Sequence, residues 1–207
     1  MNKEIKRILI FRLSSIGDIV LTSALVRCVR NAYPDARIDF VVKQQFSQLV
    51  EYNPHLSNVY TIDSSKGFSG LKSLTKNLKS QNYDVFLDIH KNIRSAYVRN
   101  LCKPTKVFVF NKHVFKRSLL TKWNIDLYKN INPVYRRFID SAKSIGVAND
   151  GKLTELFIPE PIENKVLEIL KEHNIKSGEY ILLCPGASFA NKRWPSDRFA
   201  HLALKLI

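Results

Sequence analysis

Three short stretches of the sequence hold the residue types that do chemistry. SSIGD, Ser14 to Asp18, sets two hydroxyls and the flexible Gly17 around one carboxylate. Asp18 is suited to take a proton from a substrate hydroxyl, and equally suited to be the acidic first-turn residue of a helix capped by Ser14 or Ser15. PGASFANKRWPSDRF, Pro185 to Phe199, follows an apolar run. Its small residues Gly186, Ala187 and Ser188 let backbone N–H groups turn toward an anion, with Lys192 for charge and Trp194 for an apolar wall. That pattern suggests a diphosphate cradle; the competing reading is a plain strand-to-helix connection with solvated cations and a buried Trp. DIHKNIRS, Asp88 to Ser95, gathers His90, Asn92 and Arg94. His90 and Arg94 read as substrate-side hydrogen-bond and charge donors, although a lone His is more often a satisfied rim residue.

Other chemistries lack their residues. There is no HExxH, no paired Cys and no second His at ligand spacing, so neither a metal nor another cofactor is expected. No GxSxG elbow supports a Ser-His-Asp hydrolase, and SSIGD lacks the GxGxxG spacing of a dinucleotide loop. Cys28, Cys102 and Cys184 form no CxxC and cannot all pair, which suits a reducing compartment. The start of the chain is too briefly apolar for a signal peptide, and no run approaches the roughly 20 residues that span a bilayer. A cytoplasmic protein is expected, at most peripheral on the inner face of the cytoplasmic membrane.

The 207 residues carry a formal charge of +15 with 45% hydrophobic content, too apolar for a disordered polycation. Thirteen Lys and Arg against two acids lie between Lys91 and Lys143, a local charge of +11. Such a stretch is either a solvated face or a field that attracts an anion: nucleic acid, an acidic membrane or a phosphorylated substrate. No helix-turn-helix, zinc finger or RNP motif accompanies it, so nucleic acid is not expected.

The elements that must position these residues alternate. Apolar runs at Arg7 to Arg12, Ile38 to Val42, Val59 to Ile62, Val85 to Ile89, Lys106 to Phe110 and Tyr180 to Cys184 predict strands covered on both faces. Asp18 to Ala32, Gln45 to Tyr52, Gly70 to Lys79, Ile93 to Leu101 and Glu163 to Asn174 predict helices, and a polar helical stretch spans Lys112 to Gly146. A further helix should begin at Pro195. This order predicts an α/β fold with a doubly wound parallel sheet over 1–155 and the opening of a second α/β domain over 156–207. Ligands of such sheets bind at strand carboxyl ends, where SSIGD and DIHKNIRS fall.

RILIFRLSSIGDIVLTSALVRCVRNAYPDARIDFVV near the start and CPGASFANKRWPSDRFAHLALKLI at the end together resemble the heptosyltransferases of glycosyltransferase family 9, which add heptose to the lipopolysaccharide inner core. The resemblance implies a GT-B architecture of two Rossmann-like domains, the first for the acceptor and the second for a nucleotide sugar such as ADP-heptose. It implies Asp18 as the general base of an inverting, metal-free transfer, with Lys192 neutralising the departing diphosphate. Phosphate contacts would fall on Gly186, Ala187 and Ser188, where only Ser188 carries a hydroxyl. A phosphorylated glycolipid acceptor at the inner-membrane surface would meet Ser15, Gly17, His90, Asn92, Arg94, Arg117 and Arg136. The family's later segment, with an acidic residue and an Asp-Thr-Gly-type loop, has no counterpart before Ile207, so an N-terminal domain plus the first βα unit of the donor domain is expected. A non-catalytic remnant, or an anion-binding module for nucleic acid or acidic lipid, is the alternative.

Overall fold

The computed structural model describes residues 4–112, 114–128, 132–187 and 189–206, without the side chains of Val114 and Arg117. The chain divides into two compact units, 1–157 and 158–207.

The first unit is built on five strands: β1 (Arg7–Phe11), β2 (Arg37–Lys43), β3 (Asn58–Ile62), β4 (Val85–Asp88) and β5 (Lys106–Val109). All neighbours pair in parallel, in the order β3-β2-β1-β4-β5. The alternate faces of these apolar strands are covered separately. Ile8, Ile10, Phe40 and Leu87 pack with Leu25 and Val29 of α1 (Ile16–Ala32) and with Phe138 of α5 (Val134–Asp140). Leu9, Phe11, Val41 and Phe86 face the other way, onto Leu74 and Leu78 of α2 (Gly67–Lys79) and Val98 of α3 (Ile93–Cys102). Burying both faces is what makes the strands continuously apolar instead of alternating. The doubly wound parallel sheet expected from the sequence is present. Its order reverses between β1 and β4, where chain crossovers leave to opposite sides and open a crevice at the strand carboxyl ends.

One local expectation of this unit fails. Gln45 to Tyr52 is not an α-helix; a 3-10 segment, Gln44–Leu49, stands there. Phe46 and Leu49, three apart, both pack on the core, and the three-residue repeat of a 3-10 turn brings them to one side. The polar stretch from Lys112 to Gly146 divides into α4 (Val114–Trp123), α5 and a 3-10 turn at Lys143–Ile145. Asn124, in the left-handed region at φ 54°, ends α4, and Pro133 precedes α5.

The second unit holds α6 (Glu160–Glu172), a 3-10 turn at Ala190–Lys192 and α7 (Ser196–Leu206). The strand expected from Tyr180 to Cys184 does not form: among the described residues of this unit no second extended segment offers it a ladder, and a strand exists only by pairing. None of the unit's described residues is buried. Among the described residues, no helix is long and apolar enough to cross a membrane.

Candidate functional site

The loop after β1 and the loop after β4 meet at the crevice. Ser15 is the N-cap of α1, and Asp18 stands in the helix's first turn, where the dipole favours a negative charge. The Oδ2 atom of Asp18 accepts from the Ser15 hydroxyl at 3.0 Å and from the Ser15 N–H at 3.4 Å, and it is ion-paired with the Arg12 guanidinium. All of these contacts fall on Oδ2. Gly17 is exposed beside it, with nothing within 4 Å of where a Cβ would stand.

Arg12 escaped sequence reasoning. At the end of β1 it is a buried cation that bridges three elements: Nη2 to Asp18, Nη1 donating to the carbonyl of Ile89 at 2.7 Å, and the guanidinium carbon 5.6 Å from the centre of the Phe138 ring. Its Nε is buried without a partner. Burial pushes the guanidinium below its ordinary value, against the opposing pull of Asp18. The only signal in the sequence was a charge at the end of an apolar run.

Asp88, fully buried at the end of β4, shapes the second loop. Its carboxylate accepts from the N–H of His90 at 3.2 Å, the N–H of Lys91 at 2.6 Å, the Ser95 hydroxyl at 2.8 Å and Arg99 at 3.0 Å. Lys91 is held in the left-handed region by this turn, and its carbonyl accepts from the Lys112 ammonium at 3.0 Å. His90 thereby faces Arg12, Lys112 and Lys43. Burial first, then those three cations, push its imidazole down from 6.5 to about 4, so at neutral pH it is an uncharged donor and acceptor. Its Nδ1 is buried and unpartnered.

The remaining expected residues divide. The Asn92 side-chain oxygen caps α3 by accepting from the Ser95 N–H at 2.9 Å. Arg94 is exposed in the first turn of α3, and Arg136 is exposed on α5 with its guanidinium over the Tyr135 ring. The side chain of Arg117, on α4, lies outside the described residues. In the second unit, Gly186 lies in the open connection before α7, where Arg193 Nε donates to the Ala187 carbonyl at 2.5 Å. Lys192 is exposed, its ammonium 5.6 Å from the Phe189 ring centre. Trp194 stacks edge-on to Phe199 at 4.9 Å. Ser188 lies outside the described residues.

A family model for glycosyltransferase family 9 (heptosyltransferase) matches residues 71–207, a span that contains His90 and Lys192 and begins beyond Asp18. The chain belongs to glycosyltransferase family 9. Among relatives within the family, it is 24% identical to lipopolysaccharide heptosyltransferase 3 of Escherichia coli K12, over 90% of this chain and 56% of that protein. It is 25% identical to lipopolysaccharide heptosyltransferase 1 of Campylobacter coli, over 97% of this chain and 60% of that protein. The chain thus spans somewhat under two thirds of the length of these curated relatives. In structure it is similar to a glycosyl transferase family 9 protein from Veillonella parvula, with a TM-score of 0.78 at 23% identity over 98% of this chain and 60% of that one. The E. coli heptosyltransferase WaaC, solved with ADP, aligns with a TM-score of 0.68 at 20% identity, over 97% and 64% of the two chains. The fold is therefore that of the family 9 enzymes.

Proposed function

We propose that this protein takes part in glycosyl transfer as an inverting enzyme, moving a heptose or related sugar from a nucleotide sugar such as ADP-heptose to a lipopolysaccharide inner-core acceptor. The observation that carries the reading is the asymmetry of Asp18. Its Oδ2 is anchored by Ser15 and Arg12, and Oδ1 accepts no hydrogen bond from the described residues. A base needs an oriented carboxylate with one oxygen open to the proton it removes. In a family 9 chain, at a strand-end crevice, an acceptor hydroxyl is that proton's source.

The acceptor O–H proton passes to Asp18 Oδ1 as its oxygen bonds to the anomeric carbon of the donor. The bond from that carbon to the diphosphate breaks on the opposite face, inverting the centre and releasing the nucleoside diphosphate, through an oxocarbenium-like transition state. Lys192 neutralises the charge gathering on the leaving diphosphate, and the backbone at Gly186, Ala187 and Ser188, with the Ser188 hydroxyl, receives its oxygens. Neutral His90 orients an acceptor hydroxyl. Ser15, Gly17, Asn92, Arg94, Arg117 and Arg136 complete the acceptor side, where the cations meet phosphates and sugar carboxylates.

Incubation with ADP-heptose and a delipidated, phosphorylated inner-core acceptor tests this. The expected result is a new glycoside whose anomeric configuration, read by NMR coupling, is opposite to that of the donor. Retained configuration, or release of ADP without a glycoside, would overturn it.

A further inference from the structure

Two arginines and two phenylalanines form a stack that begins at the crevice. The guanidinium carbon of Arg12 lies 5.6 Å from the centre of the Phe138 ring, and Phe138 meets Phe110 edge-to-face with ring centres 4.8 Å apart. The Arg137 guanidinium lies over Phe110 at 5.1 Å, and its Nη2 donates to the Asn111 carbonyl at 2.7 Å. Phe138 is fully buried and Phe110 nearly so. Phe110 directly follows β5, where its N–H donates to the Asp88 carbonyl at 2.9 Å, and Phe138 is one of two buried residues on the short α5. The two arginines share a feature: in each, Nε is buried and makes no hydrogen bond with a described residue. A buried N–H left unpaired costs free energy, and the face of a ring attracts the cation without accepting any of its hydrogen bonds.

We propose that Phe138 is a positioning residue: its ring fixes the plane of the Arg12 guanidinium and, through it, the Asp18 carboxylate, while Phe110 and Arg137 brace the ring. Arg12 is anchored at two nitrogens, Nη2 on Asp18 and Nη1 on the Ile89 carbonyl. Two anchors at the end of a flexible stem leave the plane free to tilt about the line between them. Contact with a ring face removes that freedom. A tilt would carry Nη2 away from Oδ2 and turn Oδ1 from the hydroxyl it is to deprotonate, and proton transfer depends on that alignment. Core volume alone does not require the ring, since another apolar side chain of similar size fills space as well, whereas only an aromatic face attracts a cation. The inference rests on the reading of Asp18 as the base. Its first test needs no substrate, so the two fail separately.

The tie between Arg12 and Asp18 is measured by a double-mutant cycle of Arg12→Met and Asp18→Asn in denaturant unfolding. The cycle is run in the wild-type chain, in Phe138→Leu, and in a chain carrying 3,4,5-trifluorophenylalanine at position 138. Fluorination keeps a ring of nearly the same shape and drains the negative charge from its face. The coupling should fall by about half or more in both backgrounds. Unchanged coupling in both would overturn the proposal; so would a fall in Phe138→Leu alone, since packing would then be the cause. In transfer assays the trifluorophenylalanine chain should lose roughly threefold or more in kcat with little change in KM, and lose nothing further when Arg12→Met is added. An undiminished further loss in the Arg12→Met background would overturn the proposal, because the ring would then act by a route other than Arg12. Wild-type turnover by Asp18→Asn would overturn the base reading alone, and the unfolding cycle would still decide whether the ring positions the carboxylate.

Discussion

Two buried arginines of the first unit lie at similar depth and behave oppositely. Arg12 and Arg27 have side chains only 9% and 7% exposed. Arg27, on α1, has every nitrogen engaged: Nε and Nη2 with Asp150 at 2.6 and 3.1 Å, Nη2 also with the Leu153 carbonyl at 3.0 Å, and Nη1 with Glu155 at 2.7 Å. The hydrogen bonds to Asp150 raise its pKa despite burial, and Arg27 in turn holds the Asp150 carboxyl down to about 2. Arg12 has one carboxylate for a partner, an Nε with none, and a pKa that burial lowers. A structural cation saturates its partners, since each buried donor left unmade costs free energy. Arg12 keeps unsatisfied capacity, and that difference is the reason the crevice beside it is proposed as the acceptor site.

Removing the saturated cation should have the largest effect. Arg27→Met leaves Asp150 and Glu155 facing each other without a counter-charge, and should cost about 3 kcal/mol of stability by denaturant unfolding, with transfer by the folded fraction unchanged. A loss below about 1 kcal/mol would show that the clamp of residues 150–155 onto α1 is not structural. Arg12→Met frees a partly exposed carboxylate, so it should cost only about 1 kcal/mol of stability. It should also lower kcat roughly 10- to 100-fold, because Asp18 loses its orientation, with partial recovery in Arg12→Lys. Equal losses of stability and rate would erase the contrast between the two arginines.

The smallest effect is a pH dependence. The His90 pKa is lower in the folded chain, about 4 against 6.5, so between those values the unfolded chain binds more protons. Its contribution is complete above pH 6.5 and is lost as pH falls toward 4, by about 1 to 2 kcal/mol for a group this partly buried. His90→Gln should flatten stability across that window and leave the separate acid loss below pH 3.8, where the unfolded chain protonates Asp150 while the folded chain holds it ionised down to about 2. An unchanged slope in His90→Gln would place the sensitivity elsewhere.

These contrasts follow the limits of the sequence. Five strands were legible because burial on two faces writes a continuous apolar run, and α1 because Ser15, Asp18 and Pro34 punctuate it. The SSIGD loop was legible as a hydroxyl-carboxylate pair at a strand end. Arg12 and Arg27 were not, since an arginine within an apolar pattern reads as a surface charge until its partners are known. Arg27 meets carboxylates more than 120 positions away. Tyr180 to Cys184 read as a strand from composition alone, but pairing is decided by a neighbour. The +11 stretch gave a charge without an arrangement; the structure distributes it over α3, β5, α4 and α5.

The transfer rate of Asp18→Asn tests the central claim most directly, because the substitution keeps the shape of the side chain and removes its basicity. With circular dichroism and melting temperature unchanged, a kcat lower by roughly 100-fold or more under saturating donor and acceptor is expected. Turnover at the wild-type rate would contradict Asp18 as the base and return it to the simpler role of a helix cap.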